Sequence, residues 1–485
     1  MTETPNNSEL RRVDDVVWEI PMREGMRVPG RVYADDVLME SLQGDQSLNQ
    51  VRNVAHLPGI QRYSLAMPDI HFGYGFPIGG VAAFAVDEGV VSPGGVGYDI
   101  NCGVRLLATD LERSALEGSM KRMVDQLFRD VPSGVGAHGA IQTLSRREMA
   151  EVLEQGAGWA VRHGYGRPDD LERTEAHGAL PGADPEAVSE RAYARGDSQV
   201  GTLGSGNHFL EIQVVDQVFD PVAARAYGLF EGQVTVMIHC GSRGFGYQVC
   251  DDYLGIMSQA AQRYGIALPD RQLACAPVDS PEGRRYLAAM ACAANYAWAN
   301  RQMIMHLTEE ALLRALSMAP RDLNLRLVYD VAHNIAKLED HTVDGVVRRL
   351  CVHRKGATRA FGPGHPEVPE PYRAVGQPVL IPGDMGTASF VCRGSTRAME
   401  QTFGSTCHGA GRVLSRAAAL RRAKGRAIDR ELAAAGITVR SQGRKTLAEE
   451  MPEAYKDVER VVAVMDRAGI SPRVARLRPL GVVKG

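Results

Sequence analysis

The glycines of this chain are bunched rather than spread. Gly73, Gly75, Gly79, Gly80, Gly94, Gly95, Gly97 and Gly103 fall between positions 73 and 103, and further clusters stand at 201–206, 241–246, 383–386 and 408–411. Glycine loses more conformational freedom on folding than any other residue, so it suits places where the backbone turns tightly or approaches something closely. The clusters mark backbone that turns tightly or closely approaches a neighbour. They predict loops that offer consecutive N–H groups to a ligand, and anions above all. None is a Walker A loop or a strand-flanked dinucleotide fingerprint, and any one of them alone reads as a plain turn.

Between the glycines, apolar β-branched runs bounded by Gly or Pro predict strands at 78–86, 104–108, 209–215, 234–239, 325–331 and 379–381. Amphipathic stretches predict helices at 112–129, 145–162, 248–264, 284–317, 414–434 and 453–468. Their uneven order lacks βαβ alternation. It predicts an α+β fold, with a β-sheet core, surrounding helices and a cleft lined by glycine-rich loops, rather than a doubly wound sheet or a TIM barrel. No period and no low-complexity linker divides the chain, so residues 1–485 read as one domain.

Composition narrows the function. With 55 Lys+Arg against 58 Asp+Glu the net charge is −3, which excludes a polybasic mode of nucleic-acid binding. The polar stretch 1–12 lacks the apolar segment of a secretory signal, and no run approaches the ~18 apolar residues of a membrane span. The most apolar stretch, 287–298, is interrupted by Asn295 and followed by Asn300 and Arg301, and it predicts a buried helix. Eight cysteines without a C-x-x-C pair predict reduced thiols in a cytoplasmic protein that makes no membrane contact.

Residues of reactive type sit beside the glycine loops. Asp99 and Cys102 are three apart, a spacing that a turn converges on one ion, and His208, His239 and His333 follow strands or glycine loops. Carboxylate, thiolate and imidazole together suit a borderline divalent ion such as Mn²⁺, Co²⁺, Fe²⁺ or Zn²⁺. Taken singly, each histidine fits an ordinary hydrogen-bonded residue and Cys102 a small buried hydrophobe. His408, between Cys407 and a glycine loop, has the chemistry of a base, a ligand or a nucleophile. Basic residues gather at Arg348, Arg349, His353, Arg354, Lys355 and Arg359, and again at Arg412, Arg416, Arg421, Arg422, Lys424 and Arg426. Such runs normally form a solvated face.

In combination these blocks resemble the RtcB family of RNA-splicing ligases over essentially the whole chain. The resemblance is carried by MPDIHFGYGFPIGG at 67–80, GGVGYDINCGVR at 94–105, GSGNHF at 204–209, HCGSRG at 239–244, DVAHN at 330–334, HRKGATR at 353–359, PGDMGT at 382–387, HGAGR at 408–412 and Lys484. Tyr247 and Cys240 depart from the family's common residues.

The resemblance implies a GTP- and Mn²⁺-dependent ligase that joins an RNA 2′,3′-cyclic-phosphate or 3′-phosphate end to a 5′-hydroxyl end. Its RNA would be tRNA halves or another cleaved transcript, with an archease-type protein as an activating partner. It implies that His408 attacks the GTP α-phosphate, that Asp69 orients it, and that Arg243 completes the catalytic set. Cys102, His208 and His239, or Asp99, Cys102, His208 and His333, would share two Mn²⁺ ions with Cys102 bridging. Asn207, Gly409, Gly411, Ser389 and Tyr455 would contact the nucleotide, and Glu211 with Lys484 would read guanine. A metal-dependent phosphatase would use the same donors with no need of His408 or Lys484. An RNA-binding scaffold is disfavoured by the net charge and by the absence of a recognisable RNA-binding motif.

Overall fold

The computed structural model describes residues 10–42 and 44–485, so positions 1–9 of the polar N-terminal stretch lie outside the described residues. The strand-forming runs assemble into two large sheets, with helices around them, in an α+β arrangement. One sheet places Arg326–Ala332, Gly103–Glu112, Gln233–Cys240, Phe209–Val218, Arg473–Lys484, Ser389–Arg393 and Pro378–Ile381 side by side, each antiparallel to the next. Its register pairs Ala332 with Gly103, Gly103 with Cys240, His239 with Phe209, and Phe209 with Lys484. In antiparallel neighbours the start of one strand lies beside the end of the next. Cys102, His208, His239, His333 and Lys484, distant in sequence, are therefore brought out at one edge.

The second sheet runs Arg11–Asp14, Val17–Ile20, Gly30–Tyr33, Ser64–His71, Ile78–Ala85, Val346–Lys355 and Asn334–Val343. The chain crosses from the first sheet to the second at His333, the single residue between strands Arg326–Ala332 and Asn334–Val343. A short ribbon of Ala357–Arg359 paired with Ser405–Cys407 then delivers His408 to the same place.

The stretch read as a buried helix is the centre of helix Pro281–Leu316, which Ser280 caps by accepting from the Gly283 N–H at 3.0 Å. Its polar residues Asn295, Asn300 and Arg301 are fully buried and point at loops. Asn300 Oδ1 accepts from the N–H groups of Gly201 (2.7 Å) and Thr202 (3.1 Å), and its amide donates to the Gly241 carbonyl at 3.1 Å. Arg301 donates to the carbonyls of Asn101 (2.7 Å) and Cys240 (2.9 Å). Asp330 balances the buried charge, receiving Arg301 at 2.8 Å and Arg105 at 2.7 Å. A lone charge at this depth would cost several kcal/mol.

Some expected elements divide. The stretch 145–162 forms helices Arg146–Gln155 and Ala157–Arg162, because Gly156 at φ +53° lies so close to the Gly178 carbonyl that a Cβ would come within 2.0 Å of its oxygen. The stretch 414–434 forms helices Arg416–Arg422 and Ile428–Ala434 around Gly425. In the basic run at 348–359 Arg348 and Arg349 are exposed, but the rest is not a solvated face. His353, Arg354, Lys355 and Arg359 are buried, with Arg354 on Glu339 at 2.6 Å and Lys355 donating to the carbonyls of Phe76 (3.1 Å) and Gly94 (2.9 Å). All eight cysteines are buried and unpaired. Among the described residues no helix is long and apolar enough to cross a membrane.

Candidate active site

A cavity of about 630 Å³ opens where the edge of the first sheet meets the second. That volume lies in the range of pockets for nucleotide-sized ligands. Asp99, Cys102, Asn207, His239, His333 and His408 line it together with Arg412, Arg416, Tyr455 and Lys484.

The possible metal donors form two groups that share one sulfur. Asp99, Cys102 and His208 make the first, and Cys102, His239 and His333 the second, with the donor atoms of each group within 4.8 Å of one another. His333 thus sits with His239, a division different from either grouping expected from the sequence. Cys102 Sγ lies 3.5 Å from His208 Nε2 and 3.3 Å from His239 Nε2, and His239 Nε2 is 3.3 Å from His333 Nε2. The three-residue spacing of Asp99 and Cys102 closes as a turn in which the Cys102 N–H donates to the Asp99 carbonyl at 2.9 Å. Burial holds His239 and His333 well below the usual imidazole value, so both are neutral, as ligands must be. Burial and then Asp99 push the Cys102 thiol up to about 12. A thiol so placed becomes thiolate when a cation takes the proton's place. Burial opposes charging His208, but Cys240, Asp99 and Cys102 outweigh it.

His408 stands against the second group, its ring centroid 4.8 Å from that of His333. Its Nδ1 lies 2.6 Å from Asp69 Oδ2, which also accepts the His408 N–H at 2.8 Å and the Gly409 N–H at 3.3 Å. Burial would raise the Asp69 carboxyl, yet its contacts with His408 and the nearby Lys456 hold it below the usual range. A carboxylate only accepts, so Nδ1 carries the proton and Nε2 is the nitrogen left to meet a ligand. Gly411, at φ +73°, allows the loop to press on this strand: a Cβ there would come within 2.3 Å of the Asp69 carbonyl oxygen.

Strand Phe209–Val218 supplies the next part. Phe209, Glu211 and Gln213 alternate onto one face, and the register sets Lys484 opposite Phe209, diagonal to Glu211. Gln213 Nε2 donates to Glu211 Oε2 at 2.9 Å and to Ser389 Oγ at 3.2 Å. Glu211 and Ser389 are buried behind the cavity surface, whereas Lys484 reaches it. Burial pushes the Glu211 carboxyl up to about 8 and holds the Lys484 amine below its usual value. Tyr455 donates to Glu450, which also receives Arg412 at 3.1 Å and Arg416 at 3.4 Å. Asn207 and Gly409 border the cavity. Arg243, at φ +56°, tucks beneath the Gly204 loop instead, where its Nε donates to Thr202 Oγ1 at 3.3 Å.

Several residues of this site escaped the sequence reading. Glu450 ties two cavity arginines and Tyr455 together, yet it stands in an unremarkable acidic pair, Glu449-Glu450. Lys456 Nζ donates to the Pro68 carbonyl at 3.0 Å and to that of Ile70, bracketing Asp69 from behind. Asn300 and Arg301 were visible as polar breaks in an apolar helix, a signal of buried function that says nothing of the partners.

Known proteins resemble the chain closely. The family model described as tRNA-splicing ligase RtcB matches residues 50–485. A protein of Archaeoglobus fulgidus called tRNA-splicing ligase RtcB is 58% identical over 478 residues, covering 98% of this chain and 99% of its own. A Thermococcus kodakarensis protein of the same name is 56% identical, with 98% and 99% covered. The RNA-splicing ligase RtcB of Mycobacterium tuberculosis is 56% identical over 438 residues, 90% of this chain and 100% of its own.

Proposed function

The chain belongs to the RtcB family of tRNA-splicing ligases, and from that premise we propose that it is an RNA ligase using GTP and Mn²⁺ to join a 2′,3′-cyclic-phosphate or 3′-phosphate end to a 5′-hydroxyl end. Its substrates are tRNA halves or other cleaved RNA. The observation that carries this reading is His408: its Nδ1 is committed to Asp69 and its ring abuts His333 of a donor group. A hydrolase whose attacking water is activated by bound metal alone has no need of this imidazole.

In this reading His408 Nε2 attacks the α-phosphorus of GTP, the N–P bond forms, the bond to the β-phosphate oxygen breaks, and pyrophosphate leaves. A cyclic end is opened by water to a 3′-phosphate. An oxygen of that phosphate attacks the guanylate phosphorus and His408 departs. The 5′-hydroxyl then attacks the activated 3′-phosphate, expelling GMP and losing its proton to solvent. Two divalent ions, held when bound by Asp99, Cys102 and His208 and by Cys102, His239 and His333, would supply the charge neutralisation that phosphoryl transfer requires. The donor chemistry fits: a thiolate with neutral imidazoles favours Mn²⁺ over Mg²⁺. Arg412 and Arg416 face the cavity as counter-charges to phosphate.

Two oligoribonucleotides, one ending in a 2′,3′-cyclic phosphate and one beginning with a 5′-hydroxyl, test the reading directly. A joined strand is expected with GTP and Mn²⁺ and not with ATP. Opening of the cyclic phosphate without joining would assign the site to a phosphatase.

Guanine recognition gives a pH dependence. To accept from guanine N1–H and the exocyclic amine, Glu211 must be a carboxylate, but in the free protein it holds its proton up to pH of about 8. Binding then releases a proton, so affinity rises with pH, by about tenfold per unit below 8, and levels off above it. Loss of the Lys484 charge limits the alkaline side. Calorimetric titration with guanosine, which carries no phosphate to titrate, is expected to show this slope, and Glu211→Gln to abolish it. A flat wild-type profile would place guanine elsewhere.

A further inference from the structure

Beside the metal donors the cavity wall continues outward as a run of aromatic rings. Tyr98, next to Asp99, lines the cavity. Its ring stacks on Tyr247 at 4.7 Å between centroids and 22° between planes, and Tyr74 meets it edge-on at 5.9 Å. Tyr247 is 45% exposed on the first turns of helix Arg243–Arg263, although a ring of that size is normally turned inward. The guanidinium of Arg195, itself exposed, lies 5.2 Å from the Tyr247 centroid. Among the described residues no carboxylate pairs with Arg195; it donates to Gln248 at 3.0 Å.

We propose that the Tyr98–Tyr247–Arg195 run is a stacking platform for unpaired RNA, holding the bases of the nucleotides next to the end being joined. The proposal rests on the RNA-joining reading of the adjacent cavity and extends it to the path of the strand. Three features favour RNA over an apolar protein segment. The platform is continuous with the cavity through Tyr98, so a strand whose terminal phosphate lies by the donors passes over it. Its rings are already in the parallel arrangement that a base extends. Its flank is cationic and planar, and a guanidinium stacks on bases while its charge meets the phosphates. Every base offers a π-face, so the platform accepts any sequence and demands only that the end be single-stranded.

The test uses the full chain and a fluorescently labelled single-stranded oligoribonucleotide ending in a 3′-phosphate, with binding read by anisotropy. Tyr247→Ala is expected to weaken binding about tenfold or more. Tyr247→Phe, which keeps the ring, is expected to bind within about twofold of wild type. Removing the base of the penultimate nucleotide is expected to weaken wild type by a similar factor and to add little in Tyr247→Ala. Arg195→Ala is expected to lower the slope of log affinity against log salt by about one, and Tyr247→Ala to leave that slope unchanged. Covalent guanylylation from GTP needs no RNA and is read in parallel. Its failure in the wild type would overturn the ligase chemistry, while the binding comparison still decides the platform. Wild-type affinity in Tyr247→Ala, or equal abasic losses in both proteins, would overturn the proposal and leave the rings to a protein partner.

Discussion

If the proposed chemistry holds, His408→Ala is expected to leave no covalent guanylate on the protein, and Asp69→Asn to slow its formation on the order of 10³–10⁴-fold, as loss of the carboxylate behind a catalytic imidazole does elsewhere. The first effect follows from removing the imidazole whose Nδ1 is committed to Asp69 and whose Nε2 would make the attack. The second follows from the tautomer. An asparagine in place of Asp69 turns an amide donor or a weaker acceptor toward Nδ1, and it also loosens the grip on the His408 and Gly409 N–H groups. Labelled GTP with peptide mapping by mass spectrometry measures both. A guanylate that still forms on His408→Ala would move the nucleophile to another residue.

Cys102→Ala is expected to abolish tight Mn²⁺ binding at both proposed positions, and His333→Ala at one. The asymmetry comes from the sulfur that belongs to both donor groups, whereas His333 belongs to one. Loss of a partner that merely orients a ligand costs 10–100-fold in metal affinity, and loss of the shared ligand itself is expected to exceed that, roughly 100-fold or more at each position. Calorimetric titration with Mn²⁺ should give a stoichiometry of about two for wild type, one for His333→Ala and none for Cys102→Ala in the micromolar range. Single-site losses in both variants would mean that the thiolate is not shared.

Much of this arrangement was legible in the chain, for definable reasons. Strands 209–215 and 234–239 declared themselves because each is a short, largely apolar run rich in β-branched residues, and they appear as Phe209–Val218 and Gln233–Cys240. Strands Asn334–Val343 and Val346–Lys355 did not, since their charges masked the alternation. Lys337, Glu339 and His341 all point inward, where Lys337 pairs with Glu175 and Glu339 with Arg354. A pairing that turns charged residues into core cannot be seen until both strands are present. The donors could be picked out as residue types beside glycines, but their sorting into two groups depends on the register of the sheet. Glu211 and Gln213 carried a clue in their period of two within an apolar strand, the mark of polar groups turned inward on one face.

His333 joins the two halves of the molecule by its backbone as well as its ring. Its N–H donates to the Cys102 carbonyl at 2.9 Å, and its own carbonyl accepts from the Ala357 N–H at 3.1 Å, at the start of the ribbon that carries His408. Cys102, His208 and His239 are mounted on one sheet, Asp69 on the other, and one peptide rivets them together. A substitution at His333 is therefore expected to disturb the donor group and the placement of His408 together, since both hang on its backbone.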